Sequence, residues 1–505
     1  MNKWLVAITV MLPTLIEIID TSVVNVSLDH IRGSLSAGID EATWAITAYL
    51  VSNAIIIPIT GWLSRLFGRK NYLLASIGMF TASSLLCGSA WSLRSLIIFR
   101  IIQGIGGGAL QPLSQSILLE VFPPSQHGMA MALFGIGIMF GPIIGPLLGG
   151  WITDNWSWRW IFYINVPIGV VSILLTLLII KDPPYMKRIK MKIDYWGLIF
   201  LSVGLGSLQF VLDKGERAGW FSSPVIVAFS IISAVGLILF IIQEAFSDHP
   251  IIHLNLFRDR TFTMGNILMF FAFFNLFGSI VLLPIYLQTL MGYTSFLAGL
   301  VLGPGGVATM IALPIAGRLV NRYNPKGILI VGIIISALST YMMSLFNLQI
   351  DFWTTVWPRV VLGIGMGFLF IPLTTLTLSH IPKEKMTEAT AMYNLLRNIG
   401  GSVGVAFVTT ILARRAQFHQ FRLVEHLTPL DIPYQIARGS ASFITKFLGL
   451  DINPDALIYR ELLRQANMLA FNDTFFLLCI TMLLILPLVL LMKRTKVKET
   501  TVITH

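Results

Sequence analysis

Charge is scarce in this chain. Only 12% of its 505 residues are charged, against 55% that are apolar. A soluble globular domain carries about twice that share of charge. The composition therefore excludes the string of water-soluble domains that the length alone would suggest. Cysteine is nearly absent. The two that occur, Cys87 and Cys479, each sit inside an apolar run, which leaves no disulfide framework and no cysteine-based metal site. Histidine is sparse as well, and neither an HExxH pattern nor paired histidines occur inside the apolar runs. An intramembrane hydrolase would lack its ligands. No GxxxxGK[ST] loop is present to mark ATP as the energy source. What the chain does have is long apolar stretches, with a mean hydropathy of +0.79.

A spanning helix needs about 20 mainly apolar residues. Fourteen segments qualify, at roughly 4–28, 43–63, 72–91, 95–120, 128–151, 160–180, 194–213, 224–245, 262–288, 297–320, 327–346, 353–379, 388–412 and 469–492. The first follows Lys3 directly, without a small-residue cleavage site, so it reads as a retained helix rather than a signal peptide. Twenty lysines and arginines fall in loops on one side and five in short loops on the other. The positive-inside rule then places both termini in the cytoplasm. The net charge of +11 belongs to these loops, not to a nucleic-acid surface.

The stretch from Ile97 to Trp151 is dense in glycine and holds one arginine, Arg100. Its layout returns 259 positions later. Arg359, Gly363, Gly365 and Gly367 repeat Arg100, Gly104, Gly106 and Gly108, while Ala389, Gly400 and Gly404 repeat Ala130, Gly141 and Gly145. Matches at one offset mark a duplication, and two halves built on repeated helices are the sign of a secondary transporter. The offset lays the fourth and fifth segments on the twelfth and thirteenth. Each half then has six helices, with the seventh and eighth inserted between them. The expectation is an all-α polytopic membrane protein in a 6+2+6 layout. Its divisions fall at 1–180 (first half), 181–245 (basic linker and inserted pair), 246–412 (ninth to thirteenth helices), 413–468 (extracytoplasmic cap) and 469–505 (last helix and cytoplasmic tail).

Ionisable residues inside apolar segments are the candidates for function, since a charge at bilayer depth is costly and faces a partner or a water-filled cavity. Glu17 and Asp20 are three apart in the first segment and share one helical face. A carboxylate in a low-dielectric cavity exchanges a proton near neutral pH, which proton coupling requires. The alternative is an ion pair that only holds helices together. Arg100 is the natural counter-charge, because arginine stays protonated. Gln103 offers an amide to the same cavity, and Asn25 another from the first segment. Arg397 has no basic counterpart in the fifth segment, where Ile138 takes the place. It suits an anionic substrate group or a mate for a first-helix acid. Phe271, Phe274 and Asn275 belong to the run MFFAFFNLFGSI (269–280), which lines a greasy pocket or faces lipid. Gly104, Gly108, Gly141, Pro142, Gly145 and Gly149 serve gating and close helix packing. Arg69, with Arg65 and Lys70, is an inner latch or plain positive-inside charge. No metal or cofactor is expected; a proton gradient would supply the energy.

Six stretches carry a resemblance: IDTSVVNVSL (19–28), GWLSRLFGRK (61–70), FRIIQGIGGGALQPLSQSILL (99–119), GIGIMFGPIIGPLLGGW (135–151), WRWIFYINVPIGV (158–170) and PLTTLTLSHIP (372–382). On these the chain resembles the major facilitator superfamily, in its fourteen-span drug:proton antiporter group of the EmrB/QacA type. The resemblance implies that family's fold and proton-driven multidrug efflux across a bacterial inner membrane. It also implies antibiotic resistance, and a periplasmic membrane-fusion protein and an outer-membrane channel as partners. By the same resemblance Asp20 is the helix-1 acid and Arg100 the helix-4 arginine, while Gly141, Pro142, Gly145 and Gly149 form the antiporter glycine–proline motif. One departure stands out. The loop pattern GxLxDRxGRK has an acid in fifth place, where this chain has Arg65. The rival readings are an exporter of a native metabolite, siderophore or lipid, and a non-transporting receptor or assembly subunit, against which the helix-1 acids speak.

Overall fold

The computed structural model describes residues 2–182, 194–247, 250–425, 427–428, 430–447 and 453–493. Most of the expected basic linker (183–193) and the tail beyond 493 lie outside the described residues. Among the described residues every regular element is helical, and thirteen helices are long and apolar enough to cross a membrane.

The first half comprises α1 (Lys3–Val26), α2 (Trp44–Phe67), α3 (Arg69–Gly88), α4 (Leu93–Val121), α5 (His127–Asn155) and α6 (Trp160–Ile179). The pair expected as an insertion is α7 (Tyr195–Lys214) and α8 (Pro224–Phe246). The second half comprises α9 (Arg260–Thr289), α10 (Ser295–Val320), α11 (Pro325–Met343), α12 (Phe352–Leu378), α13 (Met386–Val424), a short outer helix α14 (Ile432–Phe447), and α15 (Pro454–Leu484). Loop residues start several of them by accepting a first-turn amide, as Asp259 does from Phe262 N at 2.9 Å and Ser92 from Ser95 N at 3.2 Å.

Glycine sets how the helices pack. A side chain on Gly104 would overlap Ser52, and one on Gly108 would come 2.8 Å from Asn53 O, so α4 lies flush on α2. Gly106 faces the other way, 2.6 Å from Phe80 N of α3. The second half repeats this. Gly363 and Gly367 lie flush on α10, and Gly365 comes 2.7 Å from Ser336 N of α11. Gly141 and Gly145 seat α5 on α1 at Ile18 and Ser22, as Gly400 and Gly404 seat α13 on α9 at Phe270 and Phe274. Five of the matched sequence positions thus do the same packing job in both halves.

The inserted pair is not peripheral. Ser233 donates to Gly204 O at 3.0 Å where α8 crosses α7. Thr47 and Thr43 of the α2 end bond Asp213 and Lys214 of α7, and Trp44 stacks on Phe210 with centroids 5.6 Å apart. On its other side Gln209 donates to Ser402 of α13 at 3.0 Å, and Trp220 to Thr410 at 2.9 Å. The pair therefore spans the seam between α2 and α13.

Two helices run farther than their apolar segments. α13 has 39 residues, about 58 Å at 1.5 Å each and nearly twice the hydrocarbon core. Within the stretch 413–468, expected as an extracytoplasmic cap, lie the end of α13, the short helix α14 and the start of α15. Arg415 and His419 meet Asp473 there at 2.6 Å, and Arg438 of α14 meets Asp455 at 3.1 Å.

Candidate functional site

Asp20 is 1% exposed and lies at the meeting point of five helices. Arg100 Nη1 reaches its Oδ2 at 2.5 Å, while Gln103 Nε2 and Asn165 Nδ2 donate to Oδ1 at 3.0 and 2.8 Å. Ser84 of α3 accepts from both amides, at 2.7 and 3.0 Å. Arg100 is itself held by Ala45 O at 3.1 Å and lies over the Tyr49 ring at 4.2 Å. Every member belongs to the first half. The guanidinium balances the carboxylate, and neutral donors occupy the second carboxylate oxygen, the arrangement in which a buried pair is least costly.

Glu17 is 4% exposed and belongs to a different network. Tyr49 OH and Asn53 Nδ2 donate to its Oε1 at 3.0 and 3.4 Å, and Gln111 Nε2 to its Oε2 at 2.5 Å. The other end of Gln111 accepts from Arg397 of α13, whose guanidinium sits 5.4 Å from the Phe273 ring centroid. Among the described residues Glu17 thus meets only neutral donors directly, and its counter-charge stands one amide away in the opposite half. Tyr49 touches both networks, since its ring lies under Arg100 and its hydroxyl on Glu17.

From Gln111 a row of contacts runs toward the ends that carry the basic loops. Asn394 donates to Gln115 Oε1 at 2.7 Å, Thr390 to Pro112 O at 3.0 Å, and Ser116 meets Thr387 at 2.9 Å. At the end of the row Arg65 of α2 meets Glu388 of α13 at 2.8 Å, and His253 meets the same carboxylate at 2.9 Å. Gly61 lets α2 approach, since a methyl there would come 2.9 Å from Glu388 Cα. On the far seam Gly128 of α5 and Gly317 of α10 touch, so that a methyl on the first would sit 2.6 Å from the second's carbonyl. The halves are closed against each other at these ends. The missing loop acid has a structural answer: Arg65 takes its partner from the other half. Arg69 instead pairs within its own half, with Glu120 at 2.5 Å.

Other expected site residues are elsewhere. Asn25 is exposed at the end of α1, outside both networks. Phe274 is buried against Phe407 with centroids 5.2 Å apart, and Asn275 donates to Leu478 O of α15 at 2.6 Å, so both serve the interior of the second half. Phe271 is half-buried beside Phe274. The Pro142 side chain lies outside the described residues. Tyr49, Asn53, Gln111, Asn165 and Glu388 were not singled out from the sequence. Amides within apolar runs were the available signal for three of them. The pentapeptide GGSVG (400–404) has the spacing of a serine-hydrolase motif, but it lies within α13, not on a strand-to-helix turn. Among the described residues no group of three metal-binding side chains comes together.

A sequence profile described as Major Facilitator Superfamily matches residues 10–405. The chain is 36% identical over 488 residues to the fatty acid resistance protein FarB of Neisseria gonorrhoeae, covering 97% of this chain and 96% of that one. It is 37% identical over 474 residues to the multidrug export protein EmrB of Haemophilus influenzae, covering 94% and 92%. Among solved structures, the human organic anion transporter MFSD10 (TETRAN) superposes with a TM-score of 0.62 at 12% identity, covering 95% of this chain and 100% of that one. At that identity the likeness concerns the fold.

Proposed function

Since this chain belongs to the major facilitator superfamily, we propose that it is a proton-driven exporter, with fourteen spans, that moves lipophilic and amphiphilic drugs out across the bacterial inner membrane. Drug efflux follows from relatives named for multidrug export, matched over most of their length. Proton coupling is our reading of the site, and one observation carries it. Glu17 reaches across the halves to Arg397 through Gln111 while Asp20 is neutralised within its own half.

The two acids then have separate jobs. Asp20 and Arg100 fix the first half as a rigid body. Glu17 is the acid that gains and loses the proton. While it is charged, Arg397 is drawn toward it through Gln111 and the row from Gln111 to Glu388 stays shut. A proton arriving from the outer side removes that attraction, the row parts, and the central space opens inward. A drug taken from the cytoplasm or inner leaflet accompanies the return as the proton leaves inward. Arg65 and Glu388 act as the outermost inner tie. A periplasmic membrane-fusion protein and an outer-membrane channel would carry the drug onward, and the extended α13 and α15 give such a partner a surface. A relative named for fatty acid resistance favours amphiphiles with lipid-like tails within the substrate range.

The test is ethidium efflux from vesicles holding the purified chain under an imposed pH gradient, with and without the presumed partner. Gradient-dependent efflux is expected from the wild type and its loss from Glu17→Gln. Equal efflux from that variant would end the role given to Glu17.

A further inference from the structure

The second half contains a buried arginine whose twin is neutralised and which itself is not. The 259-residue shift that carries Arg100 onto Arg359 also carries Asp20 onto Ser279. The two counterparts again touch. Arg359 Nη1 donates to Ser279 Oγ at 3.1 Å, where Arg100 Nη1 meets Asp20 Oδ2 at 2.5 Å. The helix contact has been kept and the carboxylate replaced by a hydroxyl. The supporting amide is gone too, because Gln103 shifts onto Leu362.

Arg359 is 6% exposed and Ser279 fully buried. Among the described residues the serine is the arginine's one hydrogen-bond partner. Its Nε has none, and no carboxylate lies within ion-pair distance. Arg397 differs, since Gln111 links it to Glu17. Of the three arginines deep in the helices, Arg359 alone therefore lacks an acid within one residue's reach.

An uncompensated guanidinium in a low-dielectric interior is strongly unfavourable. Residues of this kind at membrane depth mark ligand paths. The planar fork favours carboxylate-like anions, which it binds through two parallel N–H groups. Arg359 stands seven residues from the N-terminal end of α12, about 10 Å along the axis.

We propose that Arg359 and Ser279 form a site for the anionic head of an amphiphilic substrate, a carboxylate or its like on an apolar tail. The ligand's carboxylate takes the place that Asp20 fills against Arg100. The site gives the second half a substrate role that the first half, with its carboxylate built in, does not have. This inference rests on the transport reading and names a substrate class for it.

The full-length chain, purified in a non-ionic detergent, is titrated with laurate, with dodecanol of the same chain length, and with chloride or phosphate, following its thermal unfolding. The wild type should bind laurate about tenfold or more tightly than dodecanol, the worth of one charged hydrogen bond. Ser279→Asp rebuilds the first half's ion pair and should abolish that preference. Arg359→Gln should abolish it by removing the charge, and decides the matter if the first variant does not fold. Equal affinity for laurate and dodecanol in the wild type, or a preference surviving in Arg359→Gln, overturns the proposal. Full displacement of laurate by equimolar chloride or phosphate also overturns it, because the site would then take any free anion. Dye efflux by the wild type, measured in parallel, separates a failure of this proposal from a failure of the transport reading.

Discussion

Glu17 and Asp20 stand one helical turn apart on α1, yet their carboxylates belong to different bodies of the protein. Asp20 is closed in by Arg100, Gln103 and Asn165 of its own half. Glu17 is tied through Gln111 to Arg397 of the other. Three residues advance a helix by about 300°, so neighbours on one face still diverge by about 60°. That divergence is enough to send one side chain into a bundle and the other into a seam.

The two acids should therefore fail differently. Asp20→Asn leaves Arg100 charged and buried without its carboxylate, which costs about 3–5 kcal/mol. A marked fall in the thermal midpoint is expected. Glu17→Gln keeps a side chain of the same shape and leaves no buried cation directly unpaired. It should unfold close to the wild type while losing gradient-driven dye efflux. Midpoints in the reverse order would show that the assignments are exchanged.

The tie at the basic ends is testable by charge exchange. Arg65→Glu alone sets a second carboxylate against Glu388 and should open the inner seam. A cysteine placed at Ser116, now buried against Thr387, should then react faster with a water-soluble maleimide applied from the cytoplasmic side. Adding Glu388→Arg should return the rate toward that of the parent. No recovery in the double variant would mean that the pair does not hold the seam.

The contact between Gly128 and Gly317 has no room for a side chain, with 2.6 Å from a built methyl to the facing carbonyl. Gly128→Val must push α5 from α10, because backbone cannot yield as a side-chain tip does. Overpacking of this kind costs about 1–3 kcal/mol, charged here to the closed state alone. Maleimide labelling from the inside should rise and efflux fall, with little change in the amount of folded protein.

The inserted pair bonds to both halves, so one set of bonds must break when they rock. Thr47, Thr43 and Trp44 grip the end of α7 through Asp213, Lys214 and Phe210, whereas Gln209 and Trp220 reach α13 through neutral hydrogen bonds. α7 should travel with α2. A disulfide between cysteines at Gln209 and Ser402 should arrest efflux until reduced, and one between Thr47 and Asp213 should not. Cys87 and Cys479 are buried and leave the assay clear.

Much of this was present in the letters. Apolar runs of about 20 residues must become helices in lipid, since no water is there to satisfy the backbone. The repeated glycines then fixed which helices lie flush, and five of them do so at matched positions in both halves. The pairing of Arg100 with Asp20 was legible as well, because a lone arginine and an acid at bilayer depth have few other partners.

What periodicity could not supply was direction around the axis and the identity of the facing helix. Asn25 read as a cavity residue, and Phe274 and Asn275 as pocket-lining or lipid-facing, yet Asn25 is exposed at a helix end and the other two serve the inside of the second half. Arg65 looked like a broken motif until Glu388, 323 positions away, supplied its acid. Ser279 stands where the duplication puts the counterpart of Asp20, but only the structure showed that it touches Arg359. By itself the sequence determined the helices, the duplication and the presence of buried charge. The tertiary structure alone decided which charges are neutralised, because neutralisation is a matter of distances of about 3 Å between residues the chain keeps far apart.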